Sequence, residues 1–343
     1  MNKKVYINSF KQISSQEPLV DSWSSESYTY NGGFVRSIDP EYKKYLPISK
    51  IRRLGKILRR ALLISKELVG EDSNYIDGIL FGTGLGCVAS TDKILSDMSV
   101  NGESVSHPTD FMLSTHNTIA STVAIHLGIK GYNSTYSDNG ISFENALIDA
   151  LLLFEKGECE NLLVGSFDEL TNDFYTLISK SNVLGDISTY YSEHSVGLNL
   201  SSLKTDESKL ELNGVKTLYK PSKDKLFRSF ENLLKDSGCS FDDIDAVIFG
   251  YSGDPKQDDE YTKIGLELFP NTSILHYKHI FGEGFSASAM GIYVGAFCLS
   301  NNIVPDILYK KKYNKVLNPK HLVVFNIFNN KNYSLTLLSS CID

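Results

Sequence analysis

No run of the 343-residue chain approaches the ~20 consecutive apolar residues that a membrane-spanning helix needs, so no span is expected. The opening MNKKVYINSF turns polar too soon for a signal peptide, and a cytoplasmic protein is expected. Basic charge is in deficit. The 34 Lys and Arg against 41 Asp and Glu leave a net −7, which argues against nonspecific nucleic-acid binding. Cysteine is scarce as well. Cys87, Cys159, Cys239, Cys298 and Cys341 stand far apart with no C-x-x-C spacing, so neither a zinc site nor a disulfide framework is expected. No metal and no cofactor enter the reading.

What is present is an ordinary globular composition, 41% hydrophobic and 22% charged, which excludes disorder and collagen and supplies a large core. Strand patterns at 5–10, 76–81, 135–137, 161–166, 196–201, 209–218, 246–249, 322–328 and 333–338 alternate with helical patterns at 49–69, 90 onward, 108–127, 142–156, 222–237 and 287–300. Residues 11–48 and 171–192 read as loop. Asn329, Asn330, Lys331 and Asn332 between the last two strands suit a left-handed turn. This alternation predicts an α/β fold with buried sheets. In the helix at 49–69, Arg52, Arg53, Lys56, Arg59 and Arg60 lie largely off the apolar stripe of Ile51, Leu54, Leu58 and Leu62. Such a cluster is either a docking face for an acidic partner or a solvated face, and the solvated face is the expectation.

The strand at 76–81 ends in Gly82-Thr83-Gly84-Leu85-Gly86. The glycine spacing does not fit the dinucleotide fingerprint and there is no Gly-Lys-Ser/Thr, so nucleotide binding is not expected. The same strand repeats later in the chain. Ile76 through Gly82 aligns with Ile244 through Gly250, and the preceding Lys56 through Arg59 aligns with Lys225 through Arg228. Helix, strand and glycine turn recur in register, which predicts two duplicated α/β halves, placed at 1–205 and 206–343.

Six stretches in this order resemble the β-ketoacyl synthase branch of the thiolase-like superfamily. They are the glycine turn at 82–86; Pro108, Phe111, Ser114 and Asn117 as the interface helix; Gly128 through Leu147 as the nucleophile region; Leu163 through Glu169; Lys278 with Gly282; and Phe328 with Asn332 as the gate loop. The resemblance implies a thiolase-like fold, with a layered α-β-α-β-α core. It also implies a chemistry: a cysteine at a helix N-terminus takes the acyl chain, and two histidines stabilise the enolate and oxyanion.

Those three positions fall here on Gly140, Gly250 and Glu283, and the lysine is retained as Lys278. No cysteine lies between Thr135 and Phe143, and an ionised Glu283 cannot donate a hydrogen bond to an enolate. His116 and His276 read as structural or interface residues, and His279, one residue past Lys278, would take the missing histidine's place only with a shift of register. The family's members without the triad are chain-length factors, which pair with an active ketosynthase. The resemblance therefore implies a non-catalytic subunit that heterodimerises with an active β-ketoacyl synthase, meets acyl carrier protein mainly through it, and shapes its acyl tunnel in type II polyketide or fatty-acid-like biosynthesis, aryl polyenes included. Tunnel or interface candidates are Phe111, Met112, Thr115, His116, Ile119 and Tyr136. Helical spacing puts Met112, Thr115 and Ile119 on one face, and Phe328 matches the gate. The lysines at 310–312, with Lys315 and Lys320, read as a solvated loop. Two alternatives stay open: an acyltransferase or hydrolase using Ser137, Ser142 or Glu283, and a homodimer that binds acyl groups or carrier protein. Ser142 otherwise reads as a helix N-cap.

Overall fold

The computed structural model describes residues 3–19, 33–102, 108–181, 183, 185–186 and 189–341. The first half runs β1 (Tyr6–Ile13), β2 (Phe34–Val35), α1 (Ile48–Ile51), α2 (Lys56–Val69), β3 (Gly78–Gly82), α3 (Val88–Asn101), α4 (Pro108–Leu113), α5 (Thr118–Leu127), β4 (Tyr132–Tyr136), α6 (Ser142–Lys156), β5 (Asn161–Asp168), α7 (Asn172–Ser181), β6 (Tyr191–Ser192) and β7 (His194–Ser201). The second runs β8 (Leu210–Tyr219), α8 (Lys223–Asp236), β9 (Ala246–Phe249), α9 (Pro255–Leu268), β10 (Ser273–His276), α10 (Lys278–Phe281), α11 (Ala287–Ser300), β11 (Tyr309–Lys311), β12 (His321–Phe328) and β13 (Asn332–Ser340).

Strand order repeats between the halves. The first half orders β4-β3-β5-β7-β1 and the second β10-β9-β12-β13-β8, with β11 added at the outer edge. In each, the first three strands are parallel and the last two antiparallel. A short antiparallel contact, Tyr6 with Glu211 and Ile7 with Leu210, joins them. The duplication reaches single hydrogen bonds. Asp77 Oδ2 accepts from the amides of Glu160 and Asn161, and its counterpart Asp245 Oδ2 accepts from those of Lys320 and His321.

The layering follows from which helices are apolar on every side. In α11 every residue from Ala287 to Leu299 is buried, as a helix packed between two sheets must be. It lies with α6 in a central core built from both halves. Outside, α2 and α5 cover one sheet, and α8 and α9 the other. This is the α-β-α-β-α arrangement of a thiolase-like fold. Gly291 lets α11 approach closely: a Cβ there would meet Tyr277 and Val324 at 3.0 Å. Among the described residues no helix is long and apolar enough to cross a membrane.

Several sequence expectations are corrected. The helix expected at 49–69 is two, α1 and α2, parted at Gly55, the residue preceding α2. The helix expected at 108–127 is also two. Its break at 114–117 is a run of groups that compete with the helix ladder: Ser114 and Thr118 hydroxyls donate to the carbonyls of Phe111 and Met112. Met112, Thr115 and Ile119 therefore do not share one helix face. The loop expected at 171–192 contains α7, while its positions 182, 184, 187 and 188, like 20–32 of the loop at 11–48, lie outside the described residues. The turn after β12 has Asn329 and Asn330 at φ 52° and 53°, the left-handed pair a tight hairpin needs.

The basic cluster needs one correction as well. Arg60 is fully buried. Its Nε and Nη2 donate to Asp39 at 2.6 and 3.2 Å, and its Nη1 donates to Glu193 at 2.9 Å. Glu193 also accepts from the Ser37 and Leu170 amides, so one guanidinium anchors three segments of chain to α2. Arg60→Met should cost roughly 3–5 kcal/mol, because Glu193 stays buried without its cation. Urea unfolding checks this, and a change under about 1 kcal/mol would mean that the pair is not coupled to folding.

Candidate functional site

The turn Asn139–Ile141 leads into α6, the place where the resemblance puts a nucleophile. Gly140 is buried there, and a Cβ on it would lie 2.1 Å from Phe328 Cδ2 and 2.4 Å from its Cγ. Phe328, at the end of β12, thus occupies the space in which a side chain at 140 would begin. Ser142 is not the N-cap of α6, since Ile141 holds that position. Its buried hydroxyl accepts from the Asp138 amide at 2.8 Å and faces the Asn139 and Thr83 carbonyls at 2.8 and 3.1 Å. A hydroxyl held by three backbone groups is poorly placed to attack an acyl carbonyl.

The second-half positions form one buried polar cluster. Lys278 Nζ lies 2.6 Å from Glu283 Oε2, and both side chains are buried. Burial pushes the Glu283 carboxyl up, while Lys278 and the Gly284 amide pull it down. At Gly250 a Cβ would meet Asn326 Oδ1 at 2.3 Å, Tyr261 Oη at 2.7 Å and Lys278 Cε at 3.1 Å. Tyr277 donates to Asn326, and Tyr261 Oη accepts from the Ile327 amide. Glu144, buried on α6, accepts from Ser288 and Ser334, and Ser288 also reaches the Gly140 carbonyl. Gly140 with Phe328, and Gly250 with Lys278 and Glu283, are therefore brought into two adjoining filled sites. Asn326 escaped the sequence reading, although it is the lone polar residue in the apolar stretch 322–328.

The glycine turn at 82–86 has a ligand of its own. Asp168, at the end of β5, accepts from Thr83 Oγ1 and the amides of Gly84 and Leu85 at 2.9, 3.0 and 2.8 Å. Ser286, at the start of α11, donates to the same carboxylate. Burial pushes the Asp168 carboxyl up against these donors. The turn cradles an internal carboxylate, not a phosphate.

The remaining candidates separate. Phe111 and Met112 are 63% and 71% exposed, Thr115 and His116 are exposed, and Ile119 is buried. Tyr136 is half-buried on the edge strand β4, its hydroxyl donating to Asp149 at 2.6 Å. His276 and His279 stack with ring centroids 3.6 Å apart, and His276 pairs with Phe249, the residue before Gly250, in the sheet register.

The family model described as "Beta-ketoacyl synthase, N-terminal domain" matches residues 22–235. The chain belongs to the β-ketoacyl synthase family. Its fold is shared by the structure titled "The ishigamide ketosynthase/chain length factor" (TM-score 0.79, 14% identity, 99% of each chain covered). It is shared also by a ketosynthase in complex with its chain length factor from Xenorhabdus doucetiae (TM-score 0.77, 15% identity, 99% and 98% covered). A third is a type II polyketide acyl-carrier protein in complex with its ketosynthase bound to the hexaketide (TM-score 0.76, 14% identity, 99% and 100% covered). No curated protein sequence matches the chain at a significant level.

Two predictions follow from the packing of this ketosynthase-like centre. Gly140→Ala should lower stability by roughly 1–3 kcal/mol through overpacking, and Phe328→Ala should absorb most of that loss. A urea double-mutant cycle with no coupling between the two would refute the contact. His194, fully buried beside Gly284, is held neutral by burial, its pKa pushed down to about 4. The unfolded state takes up a proton near pH 6.5 that the folded state refuses. This contribution therefore falls as pH drops from about 6.5 to about 4, by on the order of 3 kcal/mol. His194→Gln should flatten that part of the stability–pH curve.

Proposed function

We propose that this chain is a non-catalytic ketosynthase-like subunit that pairs with an active β-ketoacyl synthase and lines part of its acyl tunnel, as a chain-length factor does. The observation that carries the reading is the ring of Phe328 in the side-chain space of Gly140. There is no thiol to hold an acyl chain there and no room for one. Gly250 and Glu283 remove the two donors that would stabilise an enolate, and the Lys278 ammonium is bound to Glu283. The division of the chain into halves at 1–205 and 206–343 belongs to the same reading.

The partner side is supported by what the first half leaves uncovered. Phe111 and Met112 on α4, and Tyr132 on the edge strand β4, are large exposed apolar residues. β4 pairs on one side only, with β3. A heterodimer burying such a face needs ~1,600 Å² or more in total. An elongating chain gains ~0.8 kcal/mol per buried methylene until it meets a wall. Phe111 and Met112 are the walls we assign, in a pathway to a polyketide or fatty-acid-like product, with aryl polyenes the product class to examine first.

Coexpression with an intact ketosynthase and intact-mass measurement after incubation with acyl-carrier protein tests this. The expected result is a one-to-one complex in which the partner gains the acyl mass and this chain gains none. Acyl mass on this chain would overturn the reading. Met112→Trp in the complex should shorten the longest product, and Met112→Ala should lengthen it.

A further inference from the structure

Positive charge and exposed apolar surface meet at one outer corner of the second half. From Ile307 to Ile342 the sequence holds six lysines and no Asp or Glu, in a chain of net charge −7. Five of the six fall between Lys310 and Lys320, on β11 and the loop after it, and all five are exposed. Lys312 pairs with Asp306 at 2.7 Å and lies over the Tyr309 ring, and Lys310 lies over the Tyr251 ring. Lys311, Lys315 and Lys320 form no ion pair among the described residues. β11 is an edge strand, paired with β10 alone. Lysines on an edge strand guard it against pairing with another chain. That accounts for Lys310 and Lys311, but not for the apolar side chains beside them.

Ile303, Tyr313 and Leu317 are 44%, 51% and 63% exposed. Ile303 and Leu317 sit opposite one another in an antiparallel bridge, which puts their side chains on the same face. Their support is firm. Ser273 Oγ accepts from the amides of Tyr313 and Asn314 and donates to the Asn314 carbonyl at 2.8 Å. Tyr309 Oη accepts from the Val316 amide at 2.9 Å, and Val316 and Pro319 are buried beneath the loop. Large apolar side chains are thus held out toward water on a fixed backbone, with unpaired ammonium groups among them. We propose that this corner seats the protein on an anionic phospholipid surface, with Lys311, Lys315 and Lys320 at the phosphates and Ile303, Tyr313 and Leu317 in the boundary between headgroups and acyl chains. Charge complementarity argues for the occupant: an anionic surface repels the net-negative chain as a whole and attracts this corner, which orients the molecule as it approaches. The apolar side chains argue for a bilayer over a nucleic acid. Aliphatic groups leave water on entering the acyl boundary and a tyrosine ring favours the interface, whereas a phosphodiester backbone offers Ile303 and Leu317 no apolar phase. β11 and β4 stand at opposite ends of the strand order, so the inference does not rest on ketosynthase pairing through β4.

The test is cosedimentation of the full-length chain, in whichever assembly it purifies, with vesicles of phosphatidylcholine alone and of phosphatidylcholine mixed with phosphatidylglycerol. The expected result is a partition onto the mixed vesicles about tenfold or more above that onto phosphatidylcholine at about 100 mM salt, falling as the salt rises to about 500 mM. Lys311→Glu/Lys315→Glu should lower that partition about tenfold. Tyr313→Ser/Leu317→Ser should lower it by a similar factor while keeping the preference for phosphatidylglycerol, a split that a purely electrostatic contact would not give. The basic pair of helices α1 and α2 carries Ile48 alone as a large exposed apolar residue, so Lys50→Glu/Arg52→Glu is the control and should leave the partition unchanged. Equal partition onto both vesicles, none onto either, or retention after either double substitution at this corner would overturn the proposal, as would loss on the Lys50/Arg52 reversal. All six substituted positions are exposed, so each variant should keep the parent's urea midpoint, and that measurement separates lost binding from lost folding.

Discussion

The Asp168 carboxylate ties the glycine turn to the second half of the chain beside the Gly140 turn. It ends β5 in the first half, gathers Thr83, Gly84 and Leu85 from the glycine turn, and takes a hydroxyl from Ser286 of the second half. Thr83 passes the constraint on, because its carbonyl faces the Ser142 hydroxyl that also holds the 138–139 backbone. The turn bearing Gly140 is thus fixed from below by one buried acid. Phe328 meets a rigid surface, and its ring is set against Phe285 as well.

Glycines at buried positions 140 and 250 would leave holes unless neighbours filled the space, and here they do. The volume a cysteine would use is taken by an aromatic ring, and the volume a histidine would use at 250 is taken by Asn326, Tyr261 and the Lys278 stem. Lys278 and Glu283 compensate one another. A buried ion pair of this kind adds little net stability over an apolar pair of the same shape, but either member alone is costly. Lys278 thus has a buried structural partner in Glu283.

Much of this was legible in the sequence, and the limits are instructive. The apolar, evenly bounded segments α6, β9 and α11 were found at their observed ends, because period and length agree. The duplication was visible in Ile76 through Gly82 and Ile244 through Gly250, since the same buried strand and the same Asp cap recur. α9 went unread because its faces are mostly polar, though Asp254 before Pro255 is a helix start whose carboxylate caps the Lys256 and Gln257 amides. Gly140, Gly250 and Glu283 could be singled out by position, but not what packs around them. No periodicity announces that Asn326 and Tyr261 converge on Gly250, for that is a product of tertiary packing. Arg60 looked like its solvated neighbours because burial of a guanidinium depends on acids 21 and 133 residues away.

The contact between Gly140 and Phe328 also makes the present state hard to leave. A single change that adds a side chain at position 140 collides with the ring, and a single change that shrinks the ring opens a cavity with nothing to occupy it. The same holds at Gly250, where any side chain meets three occupants. Each single substitution that adds a side chain at 140 or 250 passes through an overpacked protein, so both positions are locked as glycine by their own surroundings.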